Sequence, residues 1–121
     1  MKLIFVYNAN SGFLDKIFDS AHKIVSPSTY DCNLCAITFG TFTEDELWKA
    51  FRENSETPLE FYHKDKFLER YKYKQLPVYN FPIIFSEKEM ELKLFISSGE
   101  LDALSSSEAL IEEITRRLSL H

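Results

Sequence analysis

The apolar run Leu3–Tyr7 constrains the fold of this chain more than any other feature. It contains no polar interruption, and the small and polar residues Asn8–Gly12 follow it directly. A strand with one face in water alternates apolar and polar side chains. A continuous apolar run that ends in a turn is instead typical of a strand buried on both faces. We therefore predict that Leu3–Tyr7 is a central strand of a sheet.

Three helices are predicted between this strand and the next one. Apolar residues recur at helical spacing over 13–25, and Ser26-Pro27 ends that helix because the residue before a proline avoids the α region. Asp31 can cap a short helix that ends near Gly40 and carries both cysteines in its first turn. The sequence Thr43–Glu46 matches a capping box and opens the third helix.

Short strands dominate the second half of the chain. Leu59–Tyr62 has the pattern of a strand, and a brief helix is predicted behind it, around 67–71. Phe81–Phe85 and Leu92–Ile96 are two further apolar segments, separated by the charged loop Ser86–Glu91. We expect these last two strands to form an antiparallel hairpin.

The composition favours one soluble domain over residues 1–121. Of these 121 residues 45% are hydrophobic, which is enough for one core. The net charge of −5 opposes binding to nucleic acid or to anionic membranes. No apolar stretch approaches the length of a signal-peptide core or a membrane span. We therefore expect a cytoplasmic protein with neither a membrane nor a nucleic acid as its partner.

The predicted element order resembles that of the thioredoxin-like fold. With a terminal helix opened by the capping box Ser105–Glu108, the order is β-α-α-α-β-α-β-β-α, an α/β arrangement with a mixed sheet. In thioredoxin-like proteins a cis-proline precedes the last strand pair, and Pro82 stands at the matching place. The resemblance implies a C-x-x-C pair directly after the first strand, where this chain has Asn8–Gly12. Its cysteine pair is displaced into a helical insertion, so the resemblance implies no thioredoxin activity.

A second resemblance covers two short segments. Tyr7–Gly12 and His22–Cys35 together are similar to a pattern found in small bacterial proteins. This pattern brings no activity with it, so the function has to be argued from the cysteines and the residues around them.

The pair Cys32 and Cys35 is the main chemical signal. Two cysteines cannot form a disulfide framework, but residues three apart lie on one side of a helix, where they can form a disulfide or bind one metal ion. The start of a helix favours the thiolate of the first cysteine, whereas the neighbouring carboxylate of Asp31 opposes it. We predict thiol-disulfide chemistry with another protein or a small thiol, in which His22 and Tyr30 tune access or protonation.

Two other interpretations of the cysteines stay open. Cys32, Cys35 and His22 could bind Zn²⁺ or another thiophilic ion, with His63 as a fourth ligand, although we favour a helix cap for His22 and a surface position for His63. Alternatively, the cysteines are small buried side chains of an interaction module that has no chemistry.

A separate candidate site lies where the first strand ends. Asn8, Asn10 and Ser11 stand where open α/β sheets bind ligands, and we group Pro82 with them as candidate cofactor-binding residues. A tight turn explains the same residues, and no nucleotide-binding motif is present. The basic stretch Lys64–Lys74 is interpreted as a solvated helix face with aromatic stems beneath it.

Overall fold

The computed structural model describes residues 1–8, 32–39, 44–74 and 77–120. The predicted helix 13–25 and the candidate residues Asn10, Ser11, His22 and Tyr30 lie outside these ranges. Within the ranges, no helix has the combination of length and apolarity that crossing a bilayer requires.

A four-stranded mixed sheet organises the described residues. Its strands are β1 (Lys2–Tyr7), β2 (Leu59–His63), β3 (Ile83–Lys88) and β4 (Glu91–Ile96), in the spatial order β2-β1-β3-β4. β1 is parallel to β2 and antiparallel to β3, and β3 and β4 form an antiparallel hairpin. The predicted α/β class with a mixed sheet is confirmed, and β1 lies between two other strands as expected.

The central position of β1 follows from its side chains. Leu3 and Phe5 point to one face of the sheet and Ile4 and Val6 to the other, and all four are fully buried. Phe5 pairs with Phe61 of β2 in the strand register, and their rings stack with centroids 4.8 Å apart. The uninterrupted apolar run is therefore explained by helices packing on both faces.

Five α-helices are described. They are α1 (Asn33–Phe39), α2 (Glu46–Asn54), α3 (Lys64–Arg70), α4 (Ser98–Asp102) and α5 (Ser107–Leu118), and a single 3₁₀ turn (Lys72–Lys74) follows α3. Buried side chains of α1, α2, α4 and α5 join the core cluster that contains Phe5. α3 contributes Phe67 and Tyr71, directly after its end, to the cluster on the opposite face.

Two helices begin later than their capping boxes predict. α2 is capped by Asp45 and not by Thr43, and one carboxylate oxygen of Asp45 accepts a hydrogen bond from the backbone N–H of Trp48 at 3.0 Å. α5 is capped by Ser106 and not by Ser105. The reason for the first shift is tertiary, because the same Asp45 oxygen accepts a 2.5 Å hydrogen bond from the hydroxyl of Ser107. The cap of α2 thereby also fixes the start of α5.

The predicted loop Ser86–Glu91 is largely strand. β3 continues to Lys88 and β4 begins at Glu91, so the connection is only Glu89-Met90, with φ values of 54° and 67°. Positive φ at both residues is the geometry of the tight turns that match the twist of a hairpin. The predicted strand Phe81–Phe85 also begins later, at Ile83, after a cis peptide bond between Phe81 and Pro82.

The sequence prediction missed α4, which has only five residues. Its signal was a complete capping box, in which the Ser97 hydroxyl accepts from the Glu100 N–H and the Glu100 carboxylate accepts from the Ser97 N–H. The guanidinium of Arg117 on α5 pairs with Glu100 and, at 2.6 Å, with Glu113. The pKa of Glu100 is lowered to about 2, mainly by the hydrogen bond from Arg117 and then by the Ser97 N–H.

Replacing Glu100 should therefore cost stability in a pH-dependent way. A carboxyl group whose pKa falls on folding stabilises the fold above its ordinary pKa of 4.5, and this contribution disappears as the pH falls toward about 2. Because the Glu100 side chain is 47% exposed, solvent screening limits the loss in Glu100→Gln to about 1 kcal/mol at pH 7.

Urea unfolding of both proteins between pH 7 and pH 2.5 measures this loss. The control is Glu91→Gln, because Glu91 approaches Lys93 only at 3.8 Å and both side chains are 69% exposed. A pH-independent difference between Glu100→Gln and the parent would contradict the prediction.

Candidate functional site

Cys32 and Cys35 form a disulfide at the start of α1, with their Cα atoms 5.3 Å apart. Cys35 lies in the first turn of the helix, as predicted. Cys32 instead directly precedes the helix, and its carbonyl accepts the first helical hydrogen bond, from the Ala36 N–H at 3.0 Å. Only one of the two cysteines is thus inside the helix, and the other occupies its N-cap position.

The Cys32 sulfur accepts hydrogen bonds from two backbone N–H groups. One is the N–H of Cys35 at 3.3 Å, and the other is the N–H of Asn8 at 3.4 Å. Asn8 directly follows β1, so the sulfur is brought to the carboxyl end of that strand across 24 positions of sequence. N–H donors stabilise a thiolate more than a thiol, and in the described part of the chain no such donor serves the Cys35 sulfur.

Both cysteines are buried. Cys32 is 2% exposed and Cys35 is fully buried, in the same core cluster as Leu34 and Trp48. Burial opposes the charged thiolate and limits access for a partner, whereas the two N–H donors favour the thiolate of Cys32. The two N–H donors would therefore stabilise the Cys32 thiolate once the disulfide is reduced, whereas the burial of both cysteines limits contact with a partner molecule.

Asn33, between the two cysteines, anchors the start of α1. Its side-chain amide donates to the carbonyl oxygens of Leu101 at 2.7 Å and Leu104 at 2.8 Å, at the end of α4. At the other end of α1, the Thr38 carbonyl accepts from the Asp45 N–H at 2.6 Å. The Asn33 contacts could not be predicted from the sequence, because the two carbonyls lie 68 and 71 positions away.

Asn33→Ala should destabilise the fold measurably. Losing the amide removes two hydrogen bonds and leaves the Leu104 carbonyl without this donor, whereas the Leu101 carbonyl still accepts from the Leu104 N–H at 3.1 Å. We expect a decrease of about 2 kcal/mol in the free energy of unfolding. A suitable control is Asn54→Ala, because the exposed Asn54 amide donates a single 2.7 Å hydrogen bond within α2. Urea unfolding of the oxidised proteins measures both. Equal effects of the two substitutions would show that the Asn33 bridge contributes nothing beyond an ordinary surface hydrogen bond.

A polar cleft of about 430 Å³ opens beside Asn8. Lys64, Asn80, Ser98 and Asp102 are among its lining residues. Of the predicted ligand-binding group, Asn8 lines this cleft. Pro82 is buried and does not line it, although the two residues before it do. Sequence reasoning missed Ser98 and Asp102 because it missed α4, whose capping box was the available signal.

His63 is half-buried at the end of the sheet. It ends β2 beside Tyr7 in the strand register, with the two ring centroids 6.4 Å apart. Its Nδ1 atom is buried and has no hydrogen-bond partner. Within the ranges the structure describes, no three His, Cys, Asp or Glu residues come together as a metal-binding group. His63 thus lies one strand away from the end of β1, and His22 lies outside the described residues.

The chain was compared with protein-family models, with curated proteins and with solved structures. No family model matches it. No curated protein and no solved structure matches it either. The interpretation of this site therefore depends on its own geometry.

Proposed function

We propose that this protein carries out thiol-disulfide exchange with Cys32 and Cys35. The observation that carries the proposal is the pair of N–H groups, from Cys35 and Asn8, that converge on the sulfur of Cys32. In the reduced protein these donors favour the Cys32 thiolate, which attacks a partner disulfide and releases one partner thiol. Cys35 then attacks Cys32 in the mixed disulfide and releases the second partner thiol. Two electrons and two protons pass to the partner in total.

The sheet supports a thioredoxin-like arrangement for this chemistry. The order β2-β1-β3-β4, with β1 and β2 parallel and a final hairpin, agrees with the resemblance found in the sequence. The Phe81–Pro82 peptide, which precedes β3, is cis at the position where the resemblance expects it. We propose that the cysteine pair is displaced along the chain while its first sulfur stays at the end of β1, beside Asn8.

The polar cleft suggests a small thiol as the exchange partner. Cys32 is 2% exposed, so a large protein partner can reach its sulfur only after local opening. A small thiol needs a smaller opening, and the cleft of about 430 Å³ at Asn8 would hold it next to the N–H that contacts Cys32.

The test is a redox titration of the whole chain in glutathione buffers of graded potential. Free thiols are alkylated at each potential and counted by mass spectrometry. Reversible loss of two alkylated sites with a single midpoint is the expected result, and Cys32→Ser should abolish it. A pair that stays fully oxidised or fully reduced across the accessible range would rule out the proposal.

Burial favours a second candidate, a structural pair in an interaction domain. Cys35 has no exposed surface and packs with Leu34 and Trp48 as a core side chain would. The same redox titration distinguishes the two candidates, because a structural disulfide should not be reduced and reoxidised in these buffers. Elemental analysis of protein purified without chelators tests the metal alternative, in which Cys32, Cys35, His22 and His63 would hold one zinc ion per chain.

A further inference from the structure

We propose that a groove beside α3 binds a small aromatic anion. The groove has a volume of about 420 Å³ and lies between α3 and the segment 77–81. Small-molecule sites in proteins have volumes of about 300–1,000 Å³, so a ligand of one to three rings fits. The core behind the groove is the cluster of Phe67 and Tyr71, on the face of the sheet opposite the cysteines. The proposal does not require the redox chemistry, although Lys64, Tyr79 and Phe81 also line the cleft beside Asn8.

Four aromatic side chains line the groove. Phe67 and Tyr71, which are 0% and 3% exposed, have ring centroids 4.9 Å apart, and Tyr79 and Phe81 line the groove with them. Phe67 stacks on Phe85 of β3 at 5.2 Å, so its ring is held from behind by the sheet. Tyr79 and Phe81 are partly exposed, so their rings can offer a planar ligand edge and face contacts, and the buried Phe67 ring supports Phe81 from behind at a centroid distance of 6.2 Å.

The rim of the groove is positively charged. Lys64 begins α3 and Lys72 lies in the 3₁₀ turn after it, and the Lys64 ammonium lies 5.5 Å from the centre of the Phe81 ring. Within the described residues neither lysine takes part in an ion pair, and no carboxylate lines the groove. Two unpaired ammonium groups beside aromatic walls favour a ligand that is both aromatic and anionic.

Two apolar side chains are left in water at the edges of the groove. Leu68 is 48% exposed and Val78 is fully exposed. A bound ring that covers them would remove apolar surface from water, which adds to the attraction of the lysines. The four features together specify the ligand class, which is a carboxylate or sulfonate attached to a flat apolar ring system.

The test uses 8-anilinonaphthalene-1-sulfonate and its uncharged counterpart N-phenyl-1-naphthylamine. Fluorescence titration of the oxidised chain should show one saturable site for the sulfonate. The double variant Lys64→Gln/Lys72→Gln should weaken its binding at least about fivefold and change that of the uncharged probe less than about twofold. Lys66→Gln is the matched control, because Lys66 is exposed on the same helix but outside the groove.

Nuclear magnetic resonance then locates the bound sulfonate. Shifts should concentrate at Leu68 and Val78 and spare Leu94, which is an exposed apolar residue of the hairpin and does not line the groove. Four outcomes would each overturn the proposal: no saturable binding, equal weakening by Lys66→Gln, equal weakening of the uncharged probe, or shifts centred on the hairpin.

Discussion

In Cys35→Ser, the remaining Cys32 thiol should be alkylated by iodoacetamide at pH 7 at least about tenfold faster than the Cys35 thiol in Cys32→Ser. The Cys32 sulfur faces two N–H donors, whereas none among the described residues serves Cys35. The exposed fraction of the residue also favours faster alkylation of Cys32, since it is 2% for Cys32 and 0% for Cys35. Because the thiolate is the reactive form, the rate for Cys32 should also rise at a lower pH than that for Cys35.

The control for this comparison is alkylation of the same two variants in concentrated guanidinium chloride. Unfolding removes both the N–H donors and the burial, so the two rates should become equal within about twofold, as for ordinary thiols. Equal rates in the folded proteins would show that the Asn8 and Cys35 N–H groups do not activate Cys32. The redox proposal would then lose the observation on which it depends.

Trp48→Ala should destabilise the fold by about 4 kcal/mol, whereas Trp48→Phe should cost less than about 1.5 kcal/mol. Trp48 is fully buried on α2 and contacts the rings of Phe5 and Phe51, each with a centroid distance of 5.5 Å. Its indole Nε1 is buried without a hydrogen-bond partner. Phenylalanine removes this unsatisfied donor and keeps most of the ring contacts, so the two effects of the substitution partly cancel.

Urea unfolding followed by circular dichroism measures both variants, since removing the single tryptophan also removes the fluorescence signal. The midpoints of the two variants are compared only where the slope of the free energy of unfolding against urea concentration is unchanged. A changed slope would indicate a change in the denatured state. A phenylalanine variant as unstable as the alanine variant would mean that the indole N–H is satisfied in solution.

The sheet was predictable because its signals are local. The apolar run Leu3–Tyr7 identified the central strand, and the segments near 59–62, 81–85 and 92–96 identified the other three. The predicted element boundaries were wrong where contacts between elements determine the structure. α2 begins later than predicted because the Asp45 carboxylate also binds Ser107. The charged side chains at 86–91 were interpreted as a loop, but they lie in the two hairpin strands or between them.

The candidate site was predictable only in part. The spacing of Cys32 and Cys35 indicated that their sulfurs could meet, and they do. The second donor to Cys32 could not be predicted, because the N–H of Asn8 belongs to a residue 24 positions earlier. The same holds for the Asn33 bridge to α4, which depends on a helix that the sequence analysis did not include.

The contact between Asn8 and Cys32 has a consequence for recognising proteins of this kind. Asn8 and Cys32 meet although they are 24 positions apart, and the cost of closing a loop rises only slowly with its length, so the contact does not require one particular spacing in the sequence. A comparison that fixes the number of residues between a first strand and a cysteine would therefore not recognise this contact. Comparing which backbone N–H groups surround a sulfur, irrespective of sequence distance, would recognise it.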